Sequence, residues 1–218
     1  MNKVIRNNKG FTLLEIIVVL AVLGALAAML SPVVFRYIDD ANRARAQGDA
    51  NTIAAAIQQM YKDTGRWAFY DNGVGKLTYT SGTDTAILTS NNLCNSATPQ
   101  AMSCNTTAPV TGGSWGDFST VKADSLAGQL IENDPAYSTA RPRAWSGPYL
   151  EAIPALDPWG RSYLVNIGNA DPDAEGSTTQ KWVVVISAGP DGNIDTSATS
   201  VVNTNPAVSC DDVISRVK

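Results

Sequence analysis

The longest apolar stretch of the chain covers residues 16–35 and contains no charged side chain. Ser31 is the only residue within it that carries a strong polar group. A helix needs about 20 predominantly apolar residues to cross the hydrocarbon core of a bilayer. The stretch therefore predicts a membrane-spanning helix, which we place within residues 11–35.

The helical pattern continues beyond this segment, because apolar and small residues return at helical spacing. The predicted stripe consists of Tyr37, Ala41, Ala44, Gly48, Ile53, Ile57, Met60 and Tyr61. Pro32 lacks a backbone donor and is expected to kink the helix or loosen the turn before it. Gly65 supplies the stop, since glycine readily takes the left-handed conformation of a helix C-cap. Residues 36–64 therefore predict a continuation of the same helix outside the membrane.

The middle of the chain, residues 65–144, is polar and rich in Thr, Ser, Asn and Gly. It carries weak apolar runs at 76–80 and 86–89, and residues 125–133 have the spacing of a short helix. Surface insertions of this length are thermodynamically tolerable, and such loops often carry partner-specific contacts. We interpret this region as a variable, loop-rich insertion.

The C-terminal part, residues 145–218, again shows regular patterns. Residues 157–160 read Asp-Pro-Trp-Gly and predict a turn, since proline fixes φ early and glycine accepts positive φ. Trp159 is expected to bury its ring against the long helix. Residues 162–167 and 181–187 are rich in β-branched side chains and predict an antiparallel pair of strands. The chain thus predicts an α+β fold, with a long N-terminal transmembrane helix packed on a small antiparallel β-sheet.

A short basic leader precedes the apolar segment and contains Lys3, Arg6 and Lys9. A secretory signal peptide is cut after its apolar core, at small residues. Here the obvious junction lies before the apolar core, between Gly10 and Phe11. Cleavage there removes residues 1–10 and keeps the apolar helix at the mature N-terminus. The basic residues before the span place the N-terminus in the cytoplasm and the bulk of the chain across the membrane.

Residues 10–15 read Gly-Phe-Thr-Leu-Leu-Glu, and an apolar helix follows them. This segment resembles the class III signal of type IV pilins and type II secretion pseudopilins. The combination of basic leader, Gly10/Phe11 junction, Glu15 and Pro32 makes the resemblance specific. In that family a prepilin peptidase cuts after the glycine and methylates the new N-terminus. The resemblance therefore implies cleavage at Gly10 and methylation of Phe11.

Glu15 places a carboxylate in the apolar segment, where a charge costs roughly 2.5 to 3.5 kcal/mol at the bilayer centre. In one interpretation Glu15 lies near the cytoplasmic end and reaches headgroups or water. In the other, the α-amino group of Phe11 on a neighbouring subunit pairs with Glu15 and sets the axial register of a filament. An unpaired buried charge is strongly penalised, which favours the second interpretation. We predict that Glu15 and Pro32 act in assembly.

Composition narrows the possible activities. The chain of 218 residues has a formal net charge of −4, whereas nucleic-acid binding requires a basic face. It contains no histidine, which excludes Ser-His-Asp and Cys-His catalysis. A membrane-tethered hydrolase that uses paired acids is a remote alternative, since no acid pair lies in an apolar context. We expect a structural protein and not an enzyme.

The cysteine content fits an oxidising compartment such as the bacterial periplasm. There are three cysteines, Cys94, Cys104 and Cys210, so one thiol is left over. The pair Cys94–Cys104 closes the shortest loop and is the disulfide we predict. Pairing of Cys210 with either of the other two stays open.

The segment that begins at Trp145 contains two further sequence motifs, Gly-Pro-Tyr-Leu and Pro-x-x-Asp-Pro-Trp-Gly. They resemble a segment of the major (G-type) pseudopilin of type II secretion, with one extra residue between Pro154 and Asp157. Residues 187–192 read Ser-Ala-Gly-Pro-Asp-Gly and resemble the opening of the calcium-binding loop of those proteins.

The resemblance implies a calcium site in which Asp191 is a ligand. Calcium takes about six to eight oxygens, which a glycine-rich loop can supply. The candidate ligands are Ser187, Asp191, Asp195, Asp211 and Asp212. An EF-hand is excluded, because Thr196 stands where glycine is required and Val202 where glutamate is required. The short Gly-Gly spacer of the G-type loop is also missing, so a metal-free turn stabilised by Asx hydrogen bonds is the alternative.

By this resemblance the function is structural. Cleaved subunits would leave the inner membrane and assemble into a helical pseudopilus, whose growth pushes folded proteins through an outer-membrane channel. The implied partners are the prepilin peptidase, an assembly ATPase, an inner-membrane platform, minor pseudopilins and the outer-membrane secretin. The alternative is a type IV major or minor pilin, a subunit of a surface filament for adhesion or motility.

Overall fold

The structure is a computed structural model that describes residues 10–65, 87–90, 100–101, 122–133, 137–140, 142–166, 183–196 and 210–217. The chain divides into two compact units, Met1–Ala41 and Asn42–Lys218. A single helix, α1, spans Leu13–Thr64 and contributes to both units.

The first unit is an apolar helix whose side chains are open to the surroundings. Every residue from 10 to 41 is exposed, including large apolar side chains such as Phe11, at 84%, and Met29, at 75%. By length and composition α1 could cross a membrane. The exposed apolar side chains therefore require lipid or other subunits around them, as the apolar pattern of residues 16–35 predicts.

The second half of α1 buries one stripe of side chains. The stripe comprises Ala46, Ala50, Ile53, Ala54, Ala56, Ile57, Met60 and Thr64. The predicted members Ile53, Ile57 and Met60 are confirmed, whereas Tyr37, Ala41, Ala44, Gly48 and Tyr61 are exposed. The prediction was wrong in the first turns after the apolar segment. The buried stripe there consists of Ala46 and Ala50, and alanine carries a weak hydrophobic signal.

The C-terminal end of α1 follows the predicted cap. Gly65 has φ of 69°, and its amide donates to the carbonyl of Tyr61 at 2.7 Å. The hydroxyl of Thr64 donates to the carbonyl of Met60 at 2.7 Å. These bonds satisfy carbonyls that a helix end otherwise leaves without partners. Nearer the N-terminus, α1 continues through Pro32 without a break.

In the described part of the chain, six short strands form one sheet. They are β1 (Ile87–Thr89), β2 (Gln100–Ala101), β3 (Lys122–Ser125), β4 (Leu164–Asn166), β5 (Val184–Ser187) and β6 (Val213–Arg216), in the spatial order β2-β3-β1-β4-β5-β6. The strands β1, β4, β5 and β6 pair antiparallel. The fold class is therefore confirmed, including the predicted antiparallel pairing of the strands we now call β4 and β5.

Two features of the sheet departed from the sequence pattern. Strand β3 pairs parallel with β1, so the sheet is mixed on that side. Three strands, β1 to β3, come from residues 65–144, where sequence reasoning saw mainly loops. Strands of two to four residues are too short to show a period of their own, and their pairing depends on the neighbouring strands.

The core lies between the sheet and the second half of α1. Leu88, Val165 and Val185 are successive register partners across β1, β4 and β5, and all three belong to the core cluster with Ile57. Polar contacts add to this packing. Gln47 and Gln58 of α1 each donate a side-chain amide, at 2.9 Å, to a backbone carbonyl in or just after β6. The helix thus holds the C-terminal edge strand in place.

Trp145, and not the predicted Trp159, packs against the core. Trp145 packs against the core cluster, and its indole N–H donates to the carbonyl of Gln129 at 3.2 Å. Its ring meets Tyr149 edge-on, with centroids 5.5 Å apart. Gln129 lies in a π-helix, Gly128–Glu132, within the predicted short helix. The 145–150 segment, and not the 157–160 turn, therefore covers this side of the core.

Tyr163 makes the main polar link between the sheet and α1. It is fully buried, and its hydroxyl donates to the carboxylate of Asp49 at 3.0 Å. Burial, followed by the charge of Asp49, raises the pKa of Tyr163 above its ordinary value of 10.0. The folded chain thus holds this proton more tightly than the unfolded chain does.

We predict that Tyr163→Phe lowers the free energy of unfolding by about 1 to 3 kcal/mol, because it removes a hydrogen bond to a charged group. Stability that this group contributes below pH 10 is lost as the pH rises above that value. The variant should therefore lose less stability than the native chain above about pH 10. Thermal unfolding of the full chain in detergent micelles from pH 7 to 11 measures both effects. Tyr37→Phe, at an exposed position of α1, is the control, and equal losses in the two variants would contradict the prediction.

Candidate functional site

The N-terminal site lies at the start of α1. Gly10 and Phe11 are exposed, as cleavage by a peptidase requires. Glu15 accepts hydrogen bonds on one carboxylate oxygen from the amide of Thr12, at 2.8 Å, and from its hydroxyl, at 2.9 Å. The amide of Glu15 donates in return to the hydroxyl of Thr12 at 3.2 Å. This is a capping box, in which Thr12 is the N-cap residue at the start of the helix.

Thr12 is a functional residue that the sequence reasoning missed. The signal was present, because Thr-x-x-Glu before an apolar run is the pattern of a capping box. The structure places the Glu15 carboxylate at the exposed start of the helix, with Thr12 as its partner in the single chain. Pro32, the other predicted assembly residue, lies in the exposed apolar part of the same helix, where the hydroxyl of Ser31 donates to the carbonyl of Ala27 at 2.8 Å.

The second site begins at the predicted turn of residues 157–160. The amide of Gly160 donates to the carbonyl of Asp157 at 3.0 Å, and Gly160 has φ of 84°. Asp157 is only 4% exposed. Its Oδ1 accepts the amides of Trp159, at 3.0 Å, and Arg161, at 2.8 Å. The turn thus fixes a buried carboxylate in one orientation.

Ser187, a predicted metal ligand, is fully buried at the end of β5. Its hydroxyl donates to Oδ2 of Asp157 at 2.6 Å and accepts the amide of Gly189 at 3.3 Å. The side chain is therefore engaged with the turn and with its own loop. Ser187 thus links the 157–160 turn to the backbone of the acidic loop at Gly189.

Three of the predicted ligands do come together. Carboxylate oxygens of Asp191, Asp195 and Asp211 lie within 4.8 Å of one another. The amide of Asp191 also donates to Asp211 Oδ2 at 3.2 Å, and Asp191 Oδ1 accepts the amide of Asn193 at 2.7 Å. Carboxylates at this separation repel one another, and a cation between them removes the repulsion.

Asp212 lies beside this cluster. Its Oδ2 accepts the amides of Asp195, at 2.9 Å, and Thr196, at 2.7 Å. The residue is 4% exposed, and its Oδ1 is buried without a hydrogen-bond partner in the described part of the chain. Burial raises the pKa of Asp212, and the charge of Asp195 adds to this effect. A buried carboxylate oxygen without a partner lowers the stability of the fold. In the described residues, Oδ1 of Asp212 is therefore available as a further oxygen donor beside Asp195.

Glycine is required where the loop crosses the C-terminal segment. Gly189 has φ of 64°, and a Cβ added there would lie 2.6 Å from the carbonyl oxygen of Asp211. The backbone of Gly189 therefore lies directly against Asp211. The packing brings residue 211 to the loop of residues 189–195, although the two are distant in sequence.

The oxygen set fits calcium. The three clustered aspartates and the free oxygen of Asp212 are hard, anionic donors, and nitrogen and sulfur donors do not contribute to the cluster in the described residues. The loop also offers backbone carbonyls, which calcium commonly uses. Asp191, Asp195 and Asp211 would hold the ion, and its positive charge would offset the repulsion between their carboxylates.

The predicted disulfide lies outside the described residues, since Cys94 and Cys104 both fall there. Cys210 is described and exposed, and it directly precedes Asp211. It has φ of 55°, so the chain makes a turn as it enters the acidic cluster.

Comparison with known proteins agrees with the N-terminal geometry. The family described as "Prokaryotic N-terminal methylation motif" matches residues 5–31. The N-terminal segment of the chain is therefore type IV pilin-like. No solved structure matches the chain.

Curated relatives of the pilin-like chain include two proteins named Type II secretion system core protein G. The protein of Pseudomonas aeruginosa is 49% identical over 57 residues, which cover 26% of this chain and 39% of the relative. The protein of Dickeya chrysanthemi is 32% identical over 72 residues, which cover 33% and 47%. The chain thus spans less than half the length of these two relatives.

A third relative comes from a different kind of filament. Fimbrial protein EcpC of Eikenella corrodens is 28% identical over 130 residues, which cover 60% of this chain and 79% of the relative. The chain is thus similar over part of its length to secretion-system core proteins and to a fimbrial protein.

Proposed function

We propose that the chain is a structural subunit of a type II secretion pseudopilus, which is assembled from the inner membrane and drives export of folded proteins across the outer membrane. The observation that carries the proposal is the methylation motif at the head of an exposed apolar helix that continues into an α+β unit. The likeness to proteins named core protein G favours the pseudopilus among pilin-type filaments.

The proposed sequence of events follows from the helix. A prepilin peptidase cuts between Gly10 and Phe11 and methylates Phe11, which leaves residues 11–35 in the inner membrane and residues 36–218 in the periplasm. An assembly ATPase and an inner-membrane platform then move subunits into the growing filament. There the exposed apolar side chains of residues 11–38 exchange lipid for neighbouring subunits. Minor pseudopilins and the outer-membrane secretin complete the set of partners.

The role proposed is mechanical and not enzymatic. The Thr12 and Glu15 pair forms a helix cap, and the acidic cluster is a set of oxygen donors. The single chain instead leaves its first unit uncovered, which is the property of a subunit that polymerises.

Deletion of the gene tests the proposal. Folded exoproteins are expected to accumulate in the periplasm and to disappear from the culture medium, while sheared surface filaments stay at normal yield. A plasmid copy of the native gene should restore secretion, whereas a copy with Gly10→Ala, which blocks cleavage, should not. Normal secretion in the deletion strain would overturn the proposal.

A surface pilin is the second candidate function, and the match to a fimbrial protein over 79% of its length favours it. The same deletion decides between the two. Loss of sheared surface filaments, together with normal secretion, would assign the chain to a type IV pilus used in adhesion or motility.

We also propose that Asp191, Asp195 and Asp211 bind calcium, with Asp212 beside them. Two observations support this: oxygens of the three carboxylates lie within 4.8 Å of one another, and the buried Oδ1 of Asp212 has no hydrogen-bond partner among the described residues. Bound calcium would tie the 189–195 loop to the segment that leads into β6. We propose that Ser187 supports this ligand set through its hydrogen bond to Asp157.

We predict that calcium raises the unfolding temperature of the full chain in detergent micelles and that a chelator reverses the change. At a calcium concentration 100 times the Kd, the stabilisation is about 2.7 kcal/mol. Asp191→Asn should abolish the response, since it removes a charged ligand. Glu151→Gln, at an exposed acid of the second unit, is the control and should respond as the native chain does. An unfolding temperature that calcium and chelator leave unchanged would refute the calcium site.

A further inference from the structure

A buried chain of hydrogen bonds connects the 157–161 turn to the acidic cluster. Asp157 is fixed on Oδ1 by two amides of its own turn, and its Oδ2 accepts the hydroxyl of Ser187 at 2.6 Å. The Ser187 oxygen in turn accepts the amide of Gly189 at 3.3 Å. Asp157 and Ser187 are 4% and 0% exposed, so both interactions are shielded from water. Shielded hydrogen bonds to a charged group are among the stronger ones in proteins.

We propose that Asp157 and Ser187 are positioning residues that set the calcium affinity of the 189–195 loop, with Ser187 acting through its hydrogen bonds and not as a ligand. This inference rests on the calcium site proposed above. It concerns two residues outside the acidic cluster, and it assigns a role to the Asp157 turn that the filament function does not require.

The loop has little freedom to move without losing its ligand geometry. Gly189 lies so close to Asp211 that an added Cβ would be 2.6 Å from the Asp211 carbonyl oxygen. Two residues later, the amide of Asp191 donates to the carboxylate of Asp211 at 3.2 Å. The position of the Gly189 backbone therefore determines how Asp191 faces Asp211. Ser187 holds that backbone, and Asp157 holds Ser187.

The hydrogen bonds of Ser187 engage its proton and one of its two lone pairs. The proton goes to Asp157, and one lone pair accepts the Gly189 amide. If Ser187 were a ligand through its second lone pair, Ser187→Ala would remove a calcium oxygen and lower the affinity more than a change at Asp157 does. If it is a positioning residue, both changes lower the affinity alike.

The variants Asp157→Asn and Ser187→Ala together separate these two cases. The amide oxygen of Asp157→Asn can still accept the amides of Trp159 and Arg161, so the turn is kept. Its NH2 group replaces Oδ2, so it cannot accept the proton of Ser187 and can offer only a weaker, neutral hydrogen bond to the Ser187 oxygen. Ser187→Ala removes the other end of the same bond. Glu151→Gln removes one negative charge at an exposed position and serves as the control for net charge.

The experiment is a calcium titration of the full chain in detergent micelles by calorimetry, together with the unfolding temperature in chelator. Asp157→Asn and Ser187→Ala are each expected to raise the Kd for calcium about tenfold, the effect of losing one such hydrogen bond. The double variant should raise it by about the same factor as each single variant, because both remove one interaction. Glu151→Gln should bind as the native chain does.

Four results would overturn the inference. Native or tighter affinity in Asp157→Asn would make Ser187 a ligand or an unrelated residue. Multiplying losses in the double variant would show independent roles. A lower unfolding temperature in chelator with an unchanged Kd would reduce both residues to a structural role. Absence of calcium binding by the native chain would remove the calcium site and this inference together, and it would leave the filament proposal intact.

Discussion

Glu15→Gln is expected to insert into the membrane normally and to form no filament. Glutamine can replace glutamate in a capping box, so the bonds to Thr12 and the start of α1 are preserved. The substitution removes only the charge. If a neighbouring subunit's Phe11 amine pairs with Glu15 in the filament, the variant leaves that amine buried without its counter-charge. Breaking a buried pair in this way costs about 3 to 5 kcal/mol for each subunit.

The measurement compares membrane-fraction protein with sheared or affinity-purified filaments in cells that overproduce the subunit. Thr12→Ser is the matched control, because it changes the same capping box but keeps both the hydroxyl and the Glu15 charge. It should assemble as the native chain does. Filaments from Glu15→Gln at the native yield would show that the carboxylate serves only as a helix cap.

Ile57→Ala is expected to lower the free energy of unfolding of the second unit by about 2 to 5 kcal/mol. Ile57 is 1% exposed and packs in the cluster that joins α1 to β1, β4 and β5. Removal of its side chain leaves a cavity between rigid elements that cannot collapse to fill it. Since domains are stable by only about 5 to 15 kcal/mol, a substantial part of the total is lost.

Denaturant unfolding of the full chain in detergent micelles, followed by tryptophan fluorescence, measures this loss. Ile38→Ala is the matched control, because it makes the same change in the same helix where the side chain is 49% exposed. Its midpoint should stay close to the native value. Equal shifts in the two variants would mean that the second half of α1 does not form the core.

The two sites differ in how far they depend on the rest of the molecule. The N-terminal site consists of Thr12 and Glu15, three residues apart on one helix. The acidic cluster combines residues 191–195 with residues 211 and 212, and its support comes from residue 157. A substitution in the core is therefore expected to disturb calcium binding and to leave membrane insertion unchanged.

Patterns within one segment were enough to predict several elements of the chain. The apolar run, the stop of α1, the 157–160 turn and the strands β4 and β5 each depend on neighbours a few residues away. The same holds for the N-terminal motif. Local backbone preferences and periodic burial act over such distances, so a sequence displays them directly.

The tertiary structure alone decided which parts meet. It selected Ala46 and Ala50 for the buried stripe, because they face the sheet while larger neighbours face outward. It made three short strands of the middle region part of the sheet, and it placed Trp145 instead of Trp159 on the core.

At the candidate site, the sequence by itself determined an acidic, glycine-containing loop with oxygen donors. Only the fold brought Asp211 against Gly189 and turned the Ser187 hydroxyl toward Asp157. The physical reason is that a side chain's hydrogen-bond partner depends on which buried groups lie within about 3 Å of it. That proximity follows from the packing of distant segments and not from spacing along the chain.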